Sequence, residues 1–116
     1  MSPEESISDR IAFELNQITK ELNVIDRLNA IRKKADLDEI QIRAAASSLH
    51  SLYNGIEKII LLVLNDRGIS VPKGDAWHSE VLEAARKYQI ISDTLEAELR
   101  TYMGFRHFYR HTYGFM

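Results

Sequence analysis

The side chains best able to carry out chemistry are concentrated in one segment near the end of the chain, residues 104–114. These eleven residues include two arginines, two histidines and two tyrosines. Imidazole gains and loses protons near neutral pH, whereas guanidinium stays charged and forms paired hydrogen bonds with phosphate oxygens. Side chains of these types, placed together, favour chemistry on a phosphate group.

The residues alone leave four interpretations of this segment open. His107 and His111 have the spacing of two metal ligands on a helix, but Phe108 stands where zinc-protease helices carry glutamate, and no third ligand is evident. Arginines interleaved with aromatic residues could instead bind nucleic acid. An imidazole near an arginine could act in acid–base catalysis on a phosphate. The simplest interpretation is an amphipathic helix with packed aromatic residues and solvated arginines and histidines.

The spacing of Arg106 and His111 poses a geometric problem for the catalytic interpretation. The two residues are five positions apart, which is about 140° around an ideal helix. One regular helix therefore does not present both side chains to a single small substrate. A distorted last turn would bring them together, and so would a symmetric dimer in which two copies of the helix face each other.

Charge is distributed unevenly along the chain. The whole sequence carries a net charge of −2, but residues 99–116 contain three arginines and no acidic residue, so they are +3 and the rest of the chain is −5. A cationic end favours an anionic partner. The helix dipole offers an alternative explanation, because it favours cations in C-terminal turns.

Length and composition exclude several classes of protein. A chain of 116 residues predicts one domain, residues 1–116. The absence of cysteine excludes disulfide frameworks, thiolate zinc sites, iron–sulfur clusters and cysteine nucleophiles. The sequence shows neither a signal-peptide pattern nor an apolar run long enough to span a membrane, so we expect a cytoplasmic protein with no membrane partner.

Apolar residues recur every three or four positions, which predicts helices through most of the chain. The first helix is expected to begin with Ser2 as its cap and Pro3 in its first turn, and to run to about Lys34. The second is expected to begin at Leu37, with Asp36 as its cap.

The second half of the chain is expected to hold two shorter helices. Gly68 is expected to end the second helix, because glycine adopts a positive φ readily, and residues 67–75 form the main loop. Asp75 and Ser92 are predicted caps of the third and fourth helices, and Gly114 is expected to end the fourth.

Two long helices followed by two shorter ones predict an all-α protein folded as an antiparallel helical bundle. The short helices cannot cover both long ones completely, and the uncovered apolar surface favours a homodimer. Acidic residues along the helices, such as Glu57, are expected on solvated faces.

Three residues of the C-terminal segment carry a resemblance to a known family. Arg106, His111 and Tyr113 form the pattern R-x4-H-x-Y. This pattern resembles the signature of HEPN domains, and specifically of the HepT toxins of HEPN/MNT toxin–antitoxin modules. A polar residue, often asparagine, follows the arginine in that family, and here it is His107. The segment V-P-x-G-D-x-W-H at residues 71–78, followed by Val81 and Leu82, also resembles a HepT-like subgroup. With the chain length, the all-helical pattern and the placement of the motif on the last helix, the resemblance covers essentially the whole chain.

The resemblance implies a HEPN-like bundle that acts as a homodimer. It implies a type VII toxin, a metal-independent RNA endonuclease that cleaves tRNA or mRNA where two R-x4-H motifs meet across the dimer cleft. Arg106 and His111 are then catalytic, with no metal or other cofactor. It further implies a partner antitoxin, a minimal nucleotidyltransferase that transfers AMP from ATP to Tyr113.

Other residues have supporting roles or structural ones. His107 and Arg110 are candidates for catalytic support or RNA contact. Trp77 and His78 are expected either to anchor a capped turn or to stack an RNA base. A second function of a different class is a non-catalytic subunit that binds nucleotide or substrate for a nucleotidyltransferase. A helical interaction module remains a third possibility if the motif is coincidental.

Overall fold

The computed structural model describes the backbone of residues 6–71, 74 and 76–113, and the side chains of this set as far as residue 104. This part of the chain is all-α, as the sequence predicts, and it contains no strand. Nor does any of its helices have the length and apolar character needed to cross a membrane. Its four helices are α1 (Ile7–Arg32), α2 (Glu39–Asp66), α3 (Trp77–Lys87) and α4 (Asp93–Tyr113).

Contacts along the chain divide it into two compact units, and the division falls inside α2, between Ile56 and Glu57. The first unit holds α1 and the earlier part of α2. The second holds the last turns of α2 together with α3 and α4. The single domain predicted over residues 1–116 stays a prediction.

The start of α1 differs from the prediction. Ser6 is the N-cap, with an extended backbone (φ −82°, ψ 163°), and its Oγ accepts a hydrogen bond from the Asp9 amide at 3.1 Å. An extended residue at this position interrupts any helix that begins at Pro3, so the predicted start is wrong. Ser6 takes the role because its hydroxyl satisfies an amide that has no partner in the first turn. Ser2 and Pro3 lie outside the described residues.

The start of α2 also differs from the prediction, since the cap is Asp38 and not Asp36. Asp38 Oδ1 accepts a hydrogen bond from the Gln41 amide at 2.8 Å, and Gln41 Oε1 accepts one from the Asp38 amide at 3.0 Å. This reciprocal pair is a capping box, which satisfies two backbone donors at once. With Asp38 as the cap, α2 begins at Glu39 rather than at Leu37.

Two predicted boundaries are confirmed. Gly68 has a φ of 72°, and the Ile69 amide donates to the Leu64 carbonyl at 2.9 Å, which closes the end of α2 as a left-handed glycine does. Ser92 caps α4, because its Oγ accepts from the Leu95 amide at 3.0 Å. The predicted cap Asp75 and the predicted terminator Gly114 lie outside the described residues.

In the first unit, α1 and α2 form an antiparallel hairpin. Gly55, in the second half of α2, approaches Ile18, in the first half of α1. The approach is so close that a Cβ at Gly55 would lie 2.9 Å from Ile18 Cγ1. Nearer the connecting loop, Leu28 and Ala45 line one groove. Glycine at position 55 is therefore required by the approach of the two helices, despite its cost in a helix interior.

This close approach predicts the effect of a methyl group at position 55. We expect Gly55→Ala to lower the free energy of unfolding, because the new Cβ displaces Ile18, although alanine alone favours the helix by about 1 kcal/mol. In an Ile18→Ala background the same substitution should stabilise by up to about 1 kcal/mol. Chemical denaturation of the wild type, the two single variants and the double variant measures both effects. A loss of stability on Gly55→Ala in both backgrounds would contradict this packing.

The second unit has a small apolar core to which three helices contribute. The α3 helix packs directly against α4. Arg67, just after α2, donates from Nη1 to the Tyr88 carbonyl at the end of α3, at 3.1 Å. The core side chains are all at most 6% exposed, and they are Ile60, Leu64, Val81, Leu82, Ala85 and Leu99.

Candidate functional site

The predicted site residues of the C-terminal segment all fall on α4, whose helical backbone extends to Tyr113. Their side chains lie outside the part of the chain that is described, so only their positions along the helix enter the geometry. These residues are Arg106, His107, Arg110, His111 and Tyr113.

The backbone of α4 is regular where the two motif residues lie. The helix continues without interruption through positions 106 and 111. Those positions are therefore about 140° apart around its axis and about 7.5 Å apart along it. A distorted last turn does not bring them together, and the facing of two copies in a dimer stays a prediction.

The first turns of α4 are held against α3 by a charged network. Glu96 Oε1 lies 2.9 Å from Arg86 Nε of α3, and Glu96 Oε2 lies 3.1 Å from Arg100 Nη2 of α4. Arg100 also donates from Nη1 to the Ser79 Oγ at 2.6 Å and from Nη2 to the Ser79 carbonyl at 3.2 Å. Glu96 is mostly buried, whereas the two arginines are more exposed, so one carboxylate joins two solvated cations.

We expect Glu96→Gln to lower the free energy of unfolding by about 1–2 kcal/mol, because two guanidinium groups lose one shared anion. The matched control is Glu39→Gln, since Glu39 pairs with Arg43 at 3.0 Å but both side chains are exposed. The substitution of Glu39 should lower the free energy of unfolding by less than about 0.5 kcal/mol. Denaturation of both variants tests the difference, and equal losses would show that the network does not hold α4.

Trp77 and His78 are the first two residues of α3, on a different helix from the R-x4-H-x-Y residues. Their ring centroids are 3.7 Å apart and the ring planes are inclined by 32°. Both residues are half-buried. The two rings therefore form one small aromatic surface at the start of α3. The Ala76 N-cap that precedes it makes no side-chain hydrogen bond to the helix.

Glu57 is the residue that the sequence interpretation missed. The prediction that it lies on a solvated face is wrong, because only 6% of it is exposed. Its Oε2 lies 2.7 Å from Nδ1 of His78. A carboxylate is buried at large cost unless a hydrogen-bonded partner compensates for the lost water, and His78 is that partner.

The burial of Glu57 follows from which face of α2 is buried. One buried face of α2 spans about 60° around the helix and includes position 57. The signal in the sequence is the seven-residue spacing from Tyr53 to Ile60 and from Glu57 to Leu64. The residues of this face are Ala46, Tyr53, Glu57, Ile60 and Leu64, whereas Ser48 and Gly55 are buried on another side of the helix.

An apolar groove of about 150 Å³ lies in the first unit, between α1 and α2. Its one cation, Arg32, already donates to Asn29 Oδ1 from Nη2 at 2.7 Å. The groove therefore does not have the character of a phosphate site. Its lining residues are Ile25, Leu28, Asn29, Arg32, Leu37, Ala45 and Leu49.

Among the side chains that are described, no three histidine or acidic residues are grouped as ligands of a metal ion would be. The His107–His111 pair lies outside that set of side chains.

A comparison with protein families matched the part of the chain that contains α3 and α4. A family model described as "HepT-like protein" matches residues 44–116, which is more than half of the chain. The matched range includes both Trp77–His78 and the R-x4-H-x-Y residues of α4. No curated protein and no solved structure matched the chain.

Proposed function

The chain belongs to the HepT-like family, and from that premise we propose that it is the toxin of a type VII HEPN/MNT toxin–antitoxin pair. It is a cytoplasmic, single-domain endoribonuclease that cleaves cellular RNA, tRNA or mRNA, without a metal ion or other cofactor. It acts as a homodimer, and a minimal nucleotidyltransferase is its antitoxin.

RNA cleavage matches the chemistry of the two motif residues. The 2′-hydroxyl of RNA attacks the adjacent phosphorus, a 2′,3′-cyclic phosphate forms, and the 5′-oxygen leaves with a proton. His111 transfers protons, because imidazole titrates near the working pH. Arg106 stabilises the charge that accumulates on the phosphate oxygens in the transition state.

The uninterrupted helix α4 is the observation that carries the proposed dimeric site. Because positions 106 and 111 point about 140° apart on one helix, two facing copies are needed to surround one phosphodiester. Each copy then contributes one arginine and one histidine to the cleft. His107 and Arg110, on the same helix, contact the RNA or support the catalytic pair.

The surface of α1 supports the homodimer. No residue of α1 is buried, although its apolar residues recur at helical spacing. Leu15 and Leu22, seven positions apart and therefore on one face, remain 51% and 43% exposed. A second copy of the chain that covered them would remove this apolar surface from water.

Regulation by the antitoxin centres on Tyr113, at the end of α4. The phenolic oxygen attacks the α-phosphorus of ATP, an AMP ester forms on the tyrosine, and pyrophosphate leaves. The new phosphate is anionic and competes with RNA for arginine at the site.

The direct test is cleavage of total tRNA and of an mRNA transcript by the purified protein in excess EDTA. We expect cleavage by the wild type, a rate lowered about 10²–10⁴-fold in His111→Ala because proton transfer is lost, and a comparable loss in Arg106→Ala. Arg27→Ala, a substitution of an exposed arginine on α1, is the matched control and should leave the rate unchanged.

Two results would count against this function. Equal cleavage by wild type and His111→Ala would place the chemistry elsewhere or in a contaminant. Absence of cleavage by protein whose mass shows an unmodified Tyr113 would favour the binding-subunit interpretation instead.

Co-expression of Arg106→Ala and His111→Ala chains tests the site between two copies. If arginine and histidine come from different copies, the cleft of a wild-type dimer holds two equivalent pairs, each an arginine of one copy with a histidine of the other. A mixed dimer retains one such pair, so random pairing should recover about a quarter of wild-type activity. The rates of the two single variants, each expressed alone, provide the baseline. Recovery no greater than that baseline would show that both residues act within one copy.

A further inference from the structure

Glu57 and His78 form a pair whose geometry assigns a role to an atom outside the R-x4-H-x-Y motif. We propose that His78 Nε2 is a hydrogen-bond acceptor for the 2′-hydroxyl of a ribonucleotide, with the neighbouring base stacked on Trp77 and with Glu57 fixing the tautomer. The substrate class rests on the proposed RNA function, and the site itself rests on the contacts of α2 and α3.

The hydrogen bond between the two side chains fixes where the proton of the ring resides. Glu57 Oε2 lies 2.7 Å from His78 Nδ1, and the Glu57 side chain is only 8% exposed. An ionised carboxylate accepts hydrogen bonds and donates none, so Nδ1 carries the proton. In the neutral ring Nε2 then has a free lone pair and acts as an acceptor.

The second ring nitrogen is available for a ligand. The His78 side chain is 35% exposed, and its Nε2 has no hydrogen-bond partner among the residues that the structure describes. The buried carboxylate contacts Nδ1, so it does not occupy Nε2 at the other end of the ring. A buried anion that orients an imidazole in this way is a recurrent means of fixing one tautomer for function.

An acceptor at Nε2 selects the chemical class of the ligand. A phosphodiester has no proton to donate, whereas a ribose hydroxyl donates readily. The 2′-hydroxyl is present in RNA and absent from DNA, so this single acceptor distinguishes the two nucleic acids. His78 is therefore a specificity-determining residue, and Glu57 is a positioning residue that acts through it.

Trp77 supplies the second contact that a nucleotide needs. The His78 ring lies against the indole, with the centroids 3.7 Å apart, and the proposed base stacks on the indole of Trp77, which is partly exposed. Stacking on an aromatic side chain is insensitive to base identity, because every base has a π face. The pair of rings would thus hold one nucleotide by its base and read its sugar, independently of sequence.

The tautomer is tested without any activity measurement. A long-range ¹H–¹⁵N correlation spectrum of the full-length protein near neutral pH reports which nitrogen of His78 carries the proton. We expect the Nδ1–H form in the wild type and a mixture with the Nε2–H form in Glu57→Gln, since glutamine can donate as well as accept. An Nε2–H form in the wild type would overturn the proposal.

Ligand selection is tested by binding of a labelled single-stranded RNA and of the DNA of the same sequence. The background is His111→Ala, in which the proposed cleavage is removed. We expect a preference for RNA of about fivefold, the size of one hydrogen bond, falling to within about twofold in Glu57→Gln. Glu83→Gln, the same change at an exposed carboxylate of α3, is the matched control and should retain the preference.

His78→Asn separates the loss of the acceptor from the loss of the fold. The amide nitrogen of asparagine can still donate to Glu57 in place of Nδ1, but nothing replaces Nε2. We expect this variant to keep the unfolding transition of the background protein and to lose the preference for RNA. An unchanged preference, or binding of neither RNA nor DNA by the background protein, would overturn the proposed subsite.

The two proposals can fail separately. A wild-type protein that cleaves no RNA but shows a preference dependent on His78 would contradict the ribonuclease function and leave the subsite in place. Cleavage that needs Arg106 and His111, with no effect of His78→Asn on the preference, would leave the ribonuclease and remove the subsite.

Discussion

One carboxylate fixes the helix on which the candidate site depends. Glu96 joins Arg86 of α3 to Arg100 of α4, and Arg100 reaches on to both the hydroxyl and the carbonyl of Ser79. The direction of α4 is set in these first turns, beside the buried Leu99. Because a helix is rigid over a few turns, the direction set there determines where the later positions of α4 project.

The same unit contains a second carboxylate, the buried Glu57, and the two carboxylates differ in their partners. Glu96 is shared by two permanently charged guanidinium groups that remain partly solvated, so its role is to hold α4 against α3. Glu57 faces a single imidazole through Nδ1 of His78, and the second nitrogen of that ring has no hydrogen bond to a described residue. The permanently charged partners favour a structural role, and the imidazole partner allows a functional one.

Predictions made from the sequence succeed where a local pattern has one physical outcome. The end of α2 was predictable because Gly68 is the residue there that adopts a positive φ without strain. Predictions of the first two helix starts failed because several neighbouring residues can cap. Ser6 and Asp38 are the caps of the two helices because their side-chain oxygens reach the amides of Asp9 and Gln41.

Three features could be read from the sequence: the all-α class, the placement of Arg106 and His111 on one helix, and the pattern that identifies the family. These are local properties, because helix periodicity and motif spacing involve residues a few positions apart. The burial of Glu57 against His78 and the contact of Arg100 with Ser79 follow from the packing of helices, since each joins residues 21 positions apart. A helical pattern shows which residues share a face, but what packs against that face depends on other elements of the chain, which is why the burial of Glu57 could not be inferred from its neighbours in sequence.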